Sequence, residues 1–529
     1  MELKRKREAE MGQDDEQVSL IGADAMEKAC GSDVHEGQQR SEVVAKPRLR
    51  KPNRDQMVMG MIDVEELVPA DHPVRAIWQL VGSLDLSEFV EEIKAVEGGA
   101  GRTPWDPQLL ISLWIYAYCD GVNSAREIER LSEHHPAYQW LVGLERVNYH
   151  TLSDFRARRR EKLSKLFAQL LGLLRAEGLI NLERITHDGT KIRAYASSKT
   201  FKREDKIREC IRLAEEHIQK LDATPEEEVS RRRAKARARA ARERKDNLER
   251  ALDELVKVRA AKSGEEKQKA RVSISDPEAR KMRQADGGYA PSYNAQITTD
   301  AANKLILGVD VTQAGNDYDG LEKGIDLVIE NTGEAPKQVL VDGGYVDAHN
   351  IIAMEKRGID LIGAVGNQHD GATACQRRGL AKEFLPEKFA YDPQSDIYWC
   401  PAGKRLSYVS DEIGGRKINH RYQAAASDCL ACPHKKKCCP GATKRGRSIM
   451  RGELLPEVAA LAAKMETEEA KAVYRQRGPV AEFPNAWIKD KLGLRQFRLR
   501  GLHKVGAEMI WACLTYNVQQ WIRLRWNPV

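Results

Sequence analysis

The sequence predicts an α/β protein, a mixed sheet flanked by helices, with a helical region ahead of it and two insertions within it. Three observations carry the prediction. Two strand-like runs, Arg184-Ile185-Thr186-His187-Asp188 and the apolar Val339-Leu340-Val341-Asp342, each deliver a carboxylate to a glycine, as strand ends do. Residues 287–362 alternate strand-like and helix-like patterns. From Met57 to Leu182 apolar residues recur at helical spacing instead.

Taken in order, residues 1–50 are polar, charged and nearly free of aromatics, the composition of a disordered tail. The helical region 51–182 contains a broad stripe of Leu109, Leu110, Leu113, Trp114 and Ala117 that reads as a buried helix. Ser124 stands three residues before Glu127 in a capping-box arrangement. Asn148-Tyr149-His150-Thr151 then leads into a basic helix running from Leu152 to Arg160. That succession suits a helix-turn-helix unit, whose last helix enters the major groove. A helical bundle with an exposed arginine face is the alternative. In the first reading Arg156, Arg158, Arg159 and Arg160 neutralise phosphates while Asn148 or His150 reaches base edges.

The strand from Arg184 is expected to end on Asp188 and turn at Gly189. Residues 199–275 then become charge-rich and strongly helix-forming, so a helical hairpin or short coiled coil broken near Thr224-Pro225 is expected. Within it, 231–244 holds eight Lys or Arg against one Glu, either a phosphate-neutralising face or a solvated one. Strands are expected at 292–299, 305–311, up to Asp342 and at 360–362, with helices at about 321–330 and 348–357. Residues 365–470 read as a second, loop-rich and cysteine-rich insertion. The last segment, Ala507 to Trp526, is expected to be amphipathic.

Asp-Gly is first a turn signal, but the two strand-end aspartates are joined by a third candidate. Glu482 follows Tyr474 and Arg477 and precedes Lys489 by seven residues, so Glu482 and Lys489 share a helix face. Pro484 places the start of that helix nearby, because proline is tolerated in a first turn. Two aspartates and a glutamate suit a pair of Mg²⁺ ions, which prefer hard oxygen ligands and leave room for a substrate phosphate.

Through His187-Asp188-Gly189-Thr190-Lys191-Ile192, Tyr293-Asn294-Ala295-Gln296, Val339 to Tyr345 and the Tyr474, Arg477, Glu482, Lys489 set, the chain resembles the DDE transposases of bacterial insertion sequences. The likeness spans about residues 55–525 and is nearest the group called IS eleven-eighty-two. It implies an RNase H-like core over 183–529 with Asp188, Asp342 and Glu482 as the ligands of Mg²⁺ or Mn²⁺. It further implies that Tyr474, Arg477 and Lys489 contact phosphates near the element's end, and that the partners are terminal inverted repeats, target DNA and a second copy of the chain on DNA. One departure is that four residues, not three, separate Arg477 from Glu482. Glu468 and Glu469 are the nearest substitutes.

The chain has 529 residues, 41% of them hydrophobic, and a net charge of +7, a mild excess that fits a nucleic-acid partner. No apolar run approaches the roughly 20 residues of a membrane span, and the charged start lacks the apolar region of a secretory signal. A cytoplasmic location follows, nucleoid-associated when the chain is on DNA. In that compartment ten cysteines favour thiols or metal ligands over disulfides. Cys400, Cys429, Cys432 and Cys438 have the spacing of a tetrahedral Zn²⁺ site, with Cys439 or His434 as an alternative fourth ligand.

Overall fold

Helices fill the first part of the computed structural model, which describes residues 61–93, 103–223, 231–365, 379–440 and 445–526. The expected tail at 1–50 and the Thr224-Pro225 break lie outside the described residues. Residues Ile62–Val529 form one unit. It opens with α1 (Pro73–Gly82), α2 (Ser87–Val90), α3 (Pro107–Cys119), α4 (Ala125–Leu131), α5 (Pro136–Val142), α6 (Tyr149–Arg158) and α7 (Arg160–Ala176). Proline begins α1, α3 and α5, where its missing N–H costs nothing. α3 is buried almost all round, as its apolar stripe requires. The expected capping box does not form: Ser124 makes no side-chain cap bond, and Glu127 pairs with Arg130 instead. Nor is 152–160 one helix, because Arg159 leaves helical geometry (φ −123°, ψ 40°) and Arg160 opens α7.

The sheet is organised on β1 (Arg184–Arg193). This strand runs straight through Asp188 and Gly189 rather than turning there, because both are paired to β5 (Tyr289–Asp300), opposite Ile297 and Gln296. Glycine is required at 189 for close approach: a Cβ would collide with the side chains of Asp317 and Gln296. On its other edge β5 carries β4 (Arg280–Arg283) and β6 (Ile306–Thr312), both antiparallel. Beyond β1, β7 (Gln338–Val341) and β8 (Asp360–Gly363) run parallel to it. The order β6-β5-β1-β7-β8, an antiparallel meander followed by two parallel strands, is consistent with an RNase H-like core. Helices α10 (Gly320–Thr332) and α11 (Ala348–Lys356) make the connections to β7 and β8, as parallel pairing demands.

Between β1 and β4, the ribbon of β2 (Phe201–Lys202) and β3 (Val272–Ser273) flanks two long helices, α8 (Glu204–Asp222) and α9 (Arg231–Ala260). Ile207, Ala251, Leu255 and Val272 form their shared core. The stretch expected to be loop-rich contains a five-stranded antiparallel sheet, β9 (Ala390–Asp392), β10 (Ile397–Trp399), β11 (Arg405–Ile413), β12 (Lys417–Ala424) and β13 (Ser448–Leu454), paired in sequence order. Two short helices, α12 (Ala426–Leu430) and α13 (Lys435–Cys438), sit between its last strands. Few of its strand residues are buried, which leaves little hydrophobic pattern to read.

The chain ends with α14 (Pro456–Met465), α15 (Glu468–Tyr474), α16 (Arg477–Asp490) and α17 (Leu502–Arg525). Pro484 lies inside α16, not in its first turn, so the helix starts earlier than its proline suggests. The last helix is not amphipathic: from Val505 to Val518 it is buried on every side, because it runs between β6 and helices α3, α6 and α7. Its Asn517 satisfies both the N–H and the C=O of Ile306, at 2.9 and 2.8 Å. A continuous core thus joins the N-terminal helices to the main sheet.

Candidate active site

Parallel pairing fixes where the two aspartates emerge. β1 and β7 place His187 beside Val341, so the next residues along each, Asp188 and Asp342, come out side by side. Beyond Val341 the backbone turns, with Gly344 N–H donating to Asp342 Oδ1 at 2.7 Å and Tyr345 N–H to the Asp342 carbonyl at 3.2 Å. The hairpin between β11 and β12 braces this turn. Arg416 donates from Nε to the Val346 carbonyl at 2.6 Å and also holds the Gly343 carbonyl, while Ala348 N–H donates to the Gly415 carbonyl at 2.7 Å. Burial raises the Asp188 carboxyl to about 6; Arg477 opposes the shift, and the negative charges of Asp342 and Asp317 add to it.

α16 lies across this end of β1. Arg477, Ala481, Asn485 and Lys489 recur every fourth residue and form one stripe. Arg477 Nη1 is 3.9 Å from Asp188 Oδ1, Asn485 Nδ2 donates to Asp188 Oδ2 at 3.1 Å, and Lys489 Nζ donates to Thr190 Oγ1. Burial lowers the Lys489 ammonium, with Asp188 opposing. Glu482 stands one turn before Asn485, exposed, its carboxylate folded back over Gly478. The structure therefore brings Asp188, Asp342, Arg477 and Lys489 together and leaves Glu482 open to solvent on the same helix. Glu468 and Glu469 are exposed in the first turn of α15. Among the described residues, no group of three or more His, Cys, Asp or Glu side chains is arranged to hold a metal ion.

Several neighbours escape a sequence reading. Asn485 is one, and its Oδ1 is buried without a hydrogen-bond partner among the described residues. Behind Asp188, on the opposite face of the sheet, Asp317 accepts from Asn294 Nδ2 at 2.6 Å and Gln296 Nε2 at 2.9 Å. Gln296 Oε1 in turn accepts from Tyr345 OH at 2.6 Å and lies 3.1 Å from His187 Nε2. Burial drops the His187 pKa to about 4 and keeps the ring neutral. The polar Asn294 and Gln296 on an otherwise buried strand were the available signal, since such groups need buried partners.

The arginines expected to meet DNA divide. Arg156 is buried (4% exposed): it stacks 4.6 Å over Trp114, donates to the Asn123 carbonyl at 2.8 Å and faces Glu508 at 3.9 Å. It is a core arginine and does not reach a phosphate, which corrects that expectation. Arg158 is exposed and pairs with Asp154 one turn back; Arg159 pairs with Glu92 at 2.9 Å and Arg160 lies 3.8 Å from Asp310. Tyr474 packs, half-buried, against Leu340, Ile362 and Ala470. Cys400, Cys429, Cys432, Cys438 and Cys439 line one cavity, whereas His434 stacks on Phe384 with ring centres 5.4 Å apart.

A mixed α/β core with paired carboxylates at adjoining strand ends, crossed by a helix bearing Arg477 and Lys489, is consistent with an RNase H-like core. Two family models match the chain: "Transposase DDE domain" over residues 399–522 and "Transposase domain (DUF772)" over residues 62–158. These matches support a DDE transposase of insertion sequences, and the IS eleven-eighty-two group is consistent with them. The first match takes in the cysteines and α16, the second α1 to α6; neither reaches Asp188 or Asp342. No curated protein and no solved structure matches the chain. No helix among the described residues is long and apolar enough to cross a membrane.

Proposed function

We propose that this chain binds the terminal inverted repeats of its own element, cuts the DNA there and joins the freed ends to target DNA. The observation that carries the reading is the β1–β7 register, which sets Asp188 and Asp342 next to each other beneath α16. The residues present fit a hard divalent cation: two neighbouring carboxylates whose negative charges reinforce each other, and the unpartnered Asn485 Oδ1 beside them. When bound, Mg²⁺ or Mn²⁺ supplies Lewis acidity at the scissile phosphate. Asp188 and Asp342 would anchor the site, and Glu482, one helical turn from Asn485 and facing solvent, would have to turn inward to complete it from α16. Arg477 and Lys489 draw the phosphate to it, and exposed Arg158 with the basic face of α9 adds contacts to the backbone. Two in-line displacements at phosphorus suffice, the first by water and the second by the freed 3′-hydroxyl, without a covalent protein–DNA bond. Joining two ends at once calls for two copies of the chain on DNA.

Asp188→Asn tests the site. It should lose cleavage while keeping affinity for the element's ends, and a variant that still cuts overturns the assignment. The outward Glu482 favours one rival, a DNA-binding protein whose core no longer cuts. Wild-type protein that binds the ends but neither nicks nor joins them with Mg²⁺ or Mn²⁺ would establish that rival. Scoring strand joining separately from cutting distinguishes a plain nuclease of the same fold.

A further inference from the structure

We propose that Cys400, Cys429, Cys432 and Cys438 bind one Zn²⁺ as a closed tetrathiolate site, which holds the five-stranded sheet together. Three separate pieces of chain bring these thiols to one cavity: the β10–β11 turn supplies Cys400, α12 and the residues after it supply Cys429 and Cys432, and the end of α13 supplies Cys438. The local geometry is built around sulfur. In the turn Cys400-Pro401-Ala402-Gly403-Lys404, the Gly403 N–H donates to the Cys400 carbonyl at 2.8 Å and the Lys404 N–H to Cys400 Sγ at 3.3 Å. Across the cavity the Arg447 N–H donates to Cys429 Sγ at 3.2 Å. A neutral thiol is a weak acceptor, so main-chain amides aimed at two of the sulfurs suit thiolates, and such bonds are how outer groups orient metal ligands.

Charge and chemistry agree with the geometry. Four thiolates around Zn²⁺ leave two net negative charges, and Lys404, Lys435 and Arg447 line the same cavity together with one carboxylate, Asp428, which lies 3.7 Å from Lys404. Thiolate sulfur selects Zn²⁺ over the hard cations that suit the aspartates. On binding, each thiol gives its proton to solvent, and no sulfur changes oxidation state. Among the described residues no group of three or more His, Cys, Asp or Glu side chains is arranged to hold a metal ion, so the thiols must close in when the ion binds.

The sheet also gains from a staple. Its own core is small, consisting of Phe384, Phe389, Leu406, Tyr422, Ala424, Cys438 and Ile449, and a structural metal would add folding free energy to it. Cys439, next to Cys438, and Asp428 line the same cavity and are the alternatives for the fourth place among the described residues, whereas His434 is stacked on Phe384.

The test is the metal content of the full-length chain purified without added metal. One zinc per chain is expected, retained in Cys210→Ser and lost in Cys429→Ser and Cys432→Ser. Because those variants can misfold for other reasons, the second measurement uses the wild-type chain stripped of zinc and refilled with Co²⁺. Intense visible bands with sulfur-to-cobalt charge transfer in the near ultraviolet support four thiolates. Cys438→Ser should shift those bands and Cys439→Ser should not. A metal-free chain with all its thiols free, a disulfide among them, iron with acid-labile sulfide, or zinc that survives Cys429→Ser and Cys432→Ser would each overturn the proposal.

Discussion

Arg156 and Arg158 stand two residues apart on α6 and do unlike work. Leu152, Phe155 and Arg156 fall at i, i+3 and i+4, so Arg156 lies on the buried stripe and Arg158 on the far side of it. That spacing was legible in the sequence; what was not legible was Glu508, more than three hundred residues away, which gives the guanidinium a buried partner. Burial raises the Glu508 carboxyl and Arg156 holds it down. Removing one member of such a pair strands the other, at a cost of about 3–5 kcal/mol. Arg156→Ala should therefore lower stability by that amount in urea unfolding. Arg158→Ala should leave stability within about 0.5 kcal/mol and weaken DNA binding, with a shallower dependence of affinity on salt. Equal stability of the two variants would return Arg156 to the surface.

At the scale of elements, what the sequence showed was periodicity, and what it hid was pairing. Strands β1, β5, β6, β7 and β8 of the main sheet and helices α10 and α11 could be read because buried strands and crossover helices carry apolar patterns, whereas the edge strand β4, with one buried residue in four, could not. Gly189 was misread as a turn because a glycine needed for close approach and a glycine needed for a bend look alike until the facing Asp317 and Gln296 are known. The second sheet was invisible for want of buried positions, yet it touches the candidate site: its β11–β12 hairpin holds the turn after Asp342 through Arg416. A displacement of about 1 Å at a reacting group can cost about 10²-fold in rate. Arg416→Ala should thus cut DNA up to about 10²-fold more slowly at unchanged affinity for the ends, and Arg416→Lys should fall between. An Arg416→Ala variant that cuts at the wild-type rate would show that the hairpin is mere attachment.

Across the whole molecule the question is what holds the helical N-terminal part to the sheet, and Asp300 is one polar joint. At the end of β5 it accepts from Asn181 N–H at 3.2 Å, in the segment leaving α7, and from Asn303 N–H at 2.8 Å in the β5–β6 turn. Asn303 then reaches back to the Leu179 carbonyl at 2.7 Å. Burial lifts the Asp300 carboxyl to about 6, and the three amides of Asn303, Asn181 and Ala302 only partly offset it. A carboxyl raised in the folded state binds its proton more tightly there than in the unfolded chain, where it titrates near 4. Its contribution to stability is therefore complete below about pH 4 and is lost as pH rises through about 6. The loss comes to about 3 kcal/mol, since each tenfold gain in proton affinity on folding is worth about 1.4 kcal/mol. Asp300→Asn removes that titration. It also sets an amide NH₂ against one of the N–H donors, which costs about 1–3 kcal/mol at every pH. The variant should consequently be the less stable protein at pH 4, and the gap should narrow or reverse by pH 7 in denaturant titrations run side by side. A gap that stays constant across that range would mean the joint carries no buried charge.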